Sequence, residues 1–257
     1  MNDVLVTGSS GIGGAVAAAL GERALTVGRG GMIRADLSLL SSTARAATEV
    51  AARRPRLAAI VCCAGVFSLR AEHTAEGMER AFVLNYLSRY LLIRLLLPLL
   101  EPGGRVVLVA NAGRYHDTLG PLDDLNLRGG GRGLRISGRT QFACDLFAVE
   151  LASRAPSLSV SCVYPGLVAT RVFRDAHAVP RPARRLLAAA QSRLGATPES
   201  AAETPVAVLG QGSGFYGPGC APIPIPERVS SGRRAGLWSA SEDLVRPWLA
   251  RATAVEA

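Results

Sequence analysis

The run Thr7-Gly8-Ser9-Ser10-Gly11-Ile12-Gly13-Gly14 has the residue types and spacing to hold a phosphate. It follows a short apolar stretch and opens a helical pattern. Glycines at such a turn let backbone N–H groups come close to a ligand, and the start of a helix adds partial positive charge, so the chemistry is recognition of a pyrophosphate. The plainer reading is a tight strand-to-helix turn that binds nothing. Groups that move protons are scarce. The chain has 29 basic residues, and every one is an arginine. Three histidines stand at 73, 116 and 177. His116 titrates near neutrality by type and follows the phenol of Tyr115, so either can donate or accept a proton, and either can be an ordinary loop residue. The five cysteines (62, 63, 144, 162 and 220) form no CxxC pair and find too few histidines for a metal cluster; no metal is expected. A reduced, cytoplasmic protein is the simplest reading.

The elements that must position these residues follow from composition and pattern. At 257 residues and 49% hydrophobic, the chain suits one domain, 1–257, with a buried core. Its net charge of +9 is scattered and aromatics are 5%, so no nucleic-acid surface is read. Arginine in place of all lysine, beside abundant Ala and Gly, looks like GC-rich coding bias. Met1-Asn2-Asp3-Val4 lacks signal-peptide regions. Leu91 to Leu100 is apolar but short and broken by Arg94 and Pro98, so it reads as a buried helix and no membrane partner is expected. Strands are expected at Val4–Thr7, Ala24–Val27, Leu57–Cys62, Arg105–Val109 and Leu158–Val163. Helices are expected at Ile12–Gly21, Leu40–Arg53, Thr74–Leu100 (with Thr74 as N-cap) and Gly138–Arg154. The alternation predicts an α/β fold, a parallel sheet with helices on both faces. Residues 1–170 form the cofactor-binding core, and the Pro- and Arg-rich stretch 171–220 reads as a lid or pocket wall.

With these residues in view, the chain resembles the short-chain dehydrogenase/reductases, nearest the retinol-dehydrogenase-like branch, almost end to end. The likeness runs through the glycine loop, Cys62-Cys63-Ala64-Gly65, the segment from Thr74 to Asn85, Asp123-Asp124-Leu125-Asn126, Tyr164-Pro165-Gly166-Leu167-Val168-Ala169-Thr170 and Leu237-Trp238-Ser239-Ala240-Ser241-Glu242. It implies a doubly wound, Rossmann-type sheet of about seven strands with the site beyond the strands' carboxyl ends. It also implies a bound NADP(H), reacting or not, held by Thr7, Gly8, Ser10, Gly11, Ile12, Gly13, Arg29, Asp36, Leu37, Cys63, Ala64, Gly65, Pro165, Gly166, Val168 and Thr170. Arg29 stands where NADP-preferring members place an arginine against the 2′-phosphate, which its forked guanidinium suits, though a solvated arginine is an equal alternative. The first two loop glycines are separated by two residues rather than the family's three. Gly8, Gly11 and Gly14 instead fit the spacing of extended members. The helix usually found before Asp36 is absent.

Active members of this family use Asn, Ser, Tyr and Lys. Here Asn85 survives, the serine position is Asn111, and the Tyr-x-x-x-Lys pair falls on Ser137 and Gln141. An aliphatic hydroxyl is far too weak an acid to replace a phenol, and a glutamine carries no charge to shift a neighbour's pKa. The amides of Asn85, Asn111 and Gln141 with the Ser137 hydroxyl can still orient a carbonyl or stabilise an enolate. The first reading is therefore a non-redox enzyme (cyclisation, isomerisation or elimination) on an apolar carbonyl compound, such as a secondary-metabolite intermediate. The alternatives are an NADPH-dependent carbonyl reductase whose proton comes from Tyr115, His116 or water, and a non-catalytic binding subunit. Tyr164 and Cys63 read as packing. The partner is a small apolar substrate, and a homo-oligomer is left open.

Overall fold

A computed structural model describes residues 3–168, 195–230 and 232–253. Eight short runs form one sheet: β1 (Val4–Thr7), β2 (Ala24–Gly28), β3 (Ile33–Arg34), β4 (Leu57–Cys62), β5 (Leu100–Val109), β6 (Ser159–Val163), β7 (Gly214–Tyr216) and β8 (Pro222–Ile223). Their order is β3-β2-β1-β4-β5-β6-β7-β8. All neighbours pair in parallel except β7 with β8. The eighth strand, a two-residue edge, is one more than the family likeness implies. Central strands carry Val, Leu, Ile and Cys at buried positions in succession, because both faces are covered.

Helices α1 (Gly11–Leu20), α2 (Leu40–Arg53), α3 (Arg80–Leu99), α4 (Arg135–Arg154), α5 (Pro198–Val208) and α6 (Arg233–Thr253) form the two outer layers. α1 and α5 cover one face over the smaller apolar cluster; α2, α3, α4 and α6 cover the other over the larger one. The chain runs outward from β1 to β3 and then returns to place β4 on β1's other side. That reversal opens a crevice at the carboxyl ends of β1 and β4, the place where such sheets take ligands. No helix intervenes between β2 and β3, as the sequence implies; a glycine turn closed by Gly31 N–H to the Gly28 carbonyl replaces it.

Two helix starts differ from the sequence reading. α3 begins at Arg80, not Thr74. The Thr74 N–H is bonded to the Met78 carbonyl and its own carbonyl accepts from Gly77, which closes a turn that cannot continue as helix. Glu79 is the cap instead: its carboxylate accepts from the N–H groups of Ala81 (3.0 Å) and Phe82 (2.8 Å). α4 begins at Arg135, a turn before Gly138, where the Ile136 N–H bonds to the Gly133 carbonyl. By length and composition α3 is apolar enough to cross a membrane, yet two thirds of that stretch is buried within this fold. It carries a π-helical turn, Val83–Leu87, around Asn85; such turns often mark functional sites. α6 docks on α3 and α4 through Trp238, whose ring meets Tyr90 and Phe147, and through Glu242, which accepts from the Tyr90 hydroxyl (2.7 Å) and Arg94 Nε (2.6 Å).

Glu79 is itself buried and faces the buried Arg139 of α4 at 3.8 Å. Burial raises its pKa, against the pull of the two helix N–H groups and Arg139. Glu79→Ala removes a cap and leaves a buried guanidinium without its carboxylate. The expected loss is about 3–5 kcal/mol of unfolding free energy by urea titration, with Glu79→Gln losing less. A loss under about 1 kcal/mol would mean that neither contact matters.

Candidate active site

The glycine loop forms a backbone cradle. Gly8 has φ +91° and donates its N–H to the Val27 carbonyl at 2.8 Å. A Cβ built on Gly13 would stand 2.3 Å from the Gly8 carbonyl oxygen, so the first turn of α1 packs on the loop only as glycine. Ser10, the N-cap, is exposed and makes no side-chain capping bond. The Thr7 hydroxyl accepts from the N–H groups of Cys63 (3.1 Å) and Ala64 (3.2 Å), which ties this loop to the one after β4. Arg29 is exposed just beyond β2. Asp36 accepts at Oδ1 from the Ser38 N–H and hydroxyl; these bonds, with the charges of Arg29 and Arg80, outweigh partial burial and lower its pKa. Leu37 is buried next to it.

The Cys63 thiol is pushed up to about 12, by burial and then by Cys62 against the pull of Arg89, so it is no nucleophile. After β6, Gly166 takes φ +83° between Pro165 and Leu167, and Val168 bridges to Ala196. Thr170 lies outside the described residues, as does the expected lid's first part, 171–194. The described remainder of that stretch joins the main body: α5 packs on α1, and β7 extends the sheet beside β6.

Of the four residues that the sequence likeness singles out, two have side chains engaged in structural bonds. Asn85 Oδ1 accepts from Val66 N–H (2.7 Å), and its Nδ2 donates to the Val66 carbonyl (2.9 Å) and the Thr140 hydroxyl (3.0 Å). Its backbone carbonyl accepts the Cys144 thiol. The Ser137 hydroxyl accepts from Ser68 N–H (2.8 Å) and donates to the Ser68 carbonyl (2.9 Å), so both serve as braces. Asn111 and Gln141 are half-buried. Their side chains make no hydrogen bond among the described residues.

The Tyr115 ring comes up against the start of α4 beside Ser137. A Cβ built on Gly138, the residue after Ser137, would lie 3.4 and 3.6 Å from Tyr115 Cδ1 and Cε1: the tyrosine ring lies along the bare backbone there. Burial and then the neighbouring Tyr164 raise the Tyr115 pKa, so it stays protonated. The Arg114 guanidinium covers the Tyr164 ring at 4.4 Å. His116 is exposed and has no ring bond among the described residues.

Sequence reasoning missed Asp145 and Arg228. Asp145, fully buried on α4, accepts from Gly113 N–H at Oδ2 (2.9 Å) and from the Cys162 thiol at Oδ1 (3.2 Å). Burial lifts its pKa to about 7 against those two bonds and the charge of Arg228. A lone acid inside the apolar run from Phe142 to Val149 was the available signal. Arg89 is also buried, donating to the carbonyls of Ala64 (2.7 Å) and Val109 (2.9 Å), where it joins the ends of β4 and β5.

A doubly wound sheet with a glycine turn at its switch point defines the class as a Rossmann-type α/β fold. No family model matches the chain. Retinol dehydrogenase 14 of Homo sapiens is 28% identical over 221 residues, which cover 82% of this chain and 65% of that protein's length. A solved protein from Mycobacterium Paratuberculosis shares the fold at a TM-score of 0.68 and 24% identity, covering 96% of this chain and 94% of that one. The 3-alpha-hydroxysteroid dehydrogenase from Pseudomonas sp. B-0831, solved with NADH, does so at 0.63 and 22%, covering 82% and 90%. In sequence the chain is similar to retinol dehydrogenases and other short-chain dehydrogenase/reductases, and it shares the fold of solved proteins of that kind.

Asp145 gives the site a measurable signature. Its folded pKa lies above the unfolded value near about 4, so the folded state binds the extra proton between the two and stability falls as pH rises from about 4 to 7. Against Asp145→Asn, the wild-type chain should lose on the order of 3 kcal/mol across that window in denaturant titrations. Parallel pH profiles for the two proteins would show that the carboxyl is ionised in both folded and unfolded states.

Proposed function

We propose that this chain is an NADP(H)-dependent carbonyl reductase acting on an apolar small molecule, with Tyr115 as the proton donor. The observation that carries it is the Tyr115 ring on Gly138, beside Ser137. The cradle suits a dinucleotide. The backbone of Gly8 to Gly13 with Ser10 would hold the pyrophosphate, Arg29 the 2′-phosphate, Asp36 and Leu37 the adenine, and Cys63–Gly65 with Pro165, Gly166 and Val168 the nicotinamide half. The close approach at Gly13 and the tie from Thr7 to Cys63 and Ala64 keep that surface open and rigid. When bound there, the reduced cofactor supplies hydride.

The chain's own residues then have two tasks. The Asn111 amide donates a hydrogen bond to the carbonyl oxygen and orients it. Tyr115 donates its phenolic proton to that oxygen as negative charge develops. An alkoxide is far more basic than a phenolate, so the transfer is downhill even from a phenol whose pKa burial has raised. Without an ammonium nearby, the donor is weaker than a lysine-assisted tyrosine, and a slow enzyme is expected. The five cysteines, all free, fit a reducing cytoplasm.

A second reading is favoured by one observation: the side-chain amides of Asn111 and Gln141 make no hydrogen bond among the described residues. Such neutral donors suffice to promote cyclisation, isomerisation or elimination without hydride transfer. Following reduced-nicotinamide absorbance over a panel of apolar aldehydes and ketones separates the two. Tyr115→Phe should lower kcat by roughly 10²–10⁴ with an unchanged circular dichroism spectrum, and Asn111→Ala by roughly 10²–10³. Product formed with steady absorbance, and equally fast without added cofactor, would sink the reductase and leave the second reading.

A further inference from the structure

The loop that presents Tyr115 is gripped at one residue from two directions. Gly113 gives its N–H to Asp145 Oδ2 at 2.9 Å, and its carbonyl takes Arg228 Nη2 at 2.5 Å. The same guanidinium donates through Nε to the Tyr115 carbonyl at 3.1 Å. Gly113 itself has φ +77°, and a Cβ there would stand 2.7 Å from Pro226 Cδ, so the segment carrying Arg228 closes tightly over it. Arg233 adds an outer strut, bonding the Asp117 carboxylate and the Gly120 carbonyl.

A loop needs no buried carboxylate merely to stay put. Removing an acid from water costs several kcal/mol, and the direct partners of Asp145 here are a peptide N–H and a thiol. A serine or asparagine would satisfy the same N–H more cheaply. What the carboxylate adds is attraction to the guanidinium on the other side of Gly113, which draws the loop onto α4. α4 also supplies Gly138, the surface on which the Tyr115 ring lies.

Resting on the reading of Tyr115 as donor, we propose that Asp145 and Arg228 are positioning residues that clamp Gly113 and thereby fix the Tyr115 phenol over the substrate position. The groups facing Asp145 are Cys162 from β6, the Gly113 N–H from the loop, Arg228 from the segment before α6, and Cys144 on its own helix. None of the others titrates by neutral pH: the thiols are raised far above it and arginine stays charged. The clamp therefore gains its charge as Asp145 ionises, and it tightens as pH rises through neutrality.

The test uses the full chain and the variants Asp145→Asn, Arg228→Gln, Arg228→Lys and Tyr115→Phe. Alkaline tyrosinate absorbance, with Tyr115→Phe as the subtraction, isolates the Tyr115 phenol without any turnover. In the wild-type chain it ionises above the ordinary value of about 10. In Arg228→Gln it should move back by about half a unit or more as the ring leaves its buried seat. Arg228→Lys, which keeps the charge but not the two-pronged donor, should do the same. For the best carbonyl substrate, wild-type kcat should rise through an inflection near neutral pH; Asp145→Asn should lose the inflection and about tenfold in kcat, with KM within twofold. An unmoved Tyr115 titration in both Arg228 variants, or the same inflection in Asp145→Asn, overturns the clamp. If Tyr115→Phe keeps full kcat, the donor reading fails, while the tyrosinate titration still decides whether Arg228 holds the ring.

Discussion

A single methyl group on Gly13 would stand 2.3 Å from the Gly8 carbonyl, and the rest of the site is assembled outward from that backbone contact. The contact sets the loop at the end of β1. Thr7 passes its position to Cys63 and Ala64 through one hydroxyl. The chain continues from there: Val66 is held on both sides by Asn85, and Ser68 on both sides by Ser137. Ser137 precedes Gly138, on which the Tyr115 ring lies. A line of hydrogen bonds and chain neighbours thus runs from the glycine cradle to the Tyr115 ring, made almost entirely by backbone groups and small polar side chains.

Losing every lysine changes what each remaining group can do. Without an ammonium, no neighbouring charge brings a phenol toward neutrality, and burial moves Tyr115 the other way. Ser137 and Asn85 brace the 66–68 segment, so these buried polar side chains have their bonds met within the fold. With no side-chain amine anywhere, a carbonyl substrate also has no lysine with which to form an imine.

The glycine cradle, the central strands and the missing helix before Asp36 were legible because each is written in adjacent residues. The true start of α3 was not. By type Thr74 is the better cap, and only the closed turn between Thr74 and Met78 decides for Glu79. Tyr115 was visible as a loop phenol, but its seat depends on a glycine on another element, and no local pattern joins the two. Asp145 and Arg228 were less legible still, since they meet only through Gly113 after the whole sheet has closed.

The buried pairing of Glu79 with Arg139 bears on how the molecule can move. It links the first turns of α3 and α4, the two helices that flank the site, and the Arg139 guanidinium also donates to the Leu125 carbonyl at 2.5 Å while lying over the Phe82 ring. Sliding one helix along the other would strand both charges in an apolar interior. Shear between the two helices is thereby disfavoured.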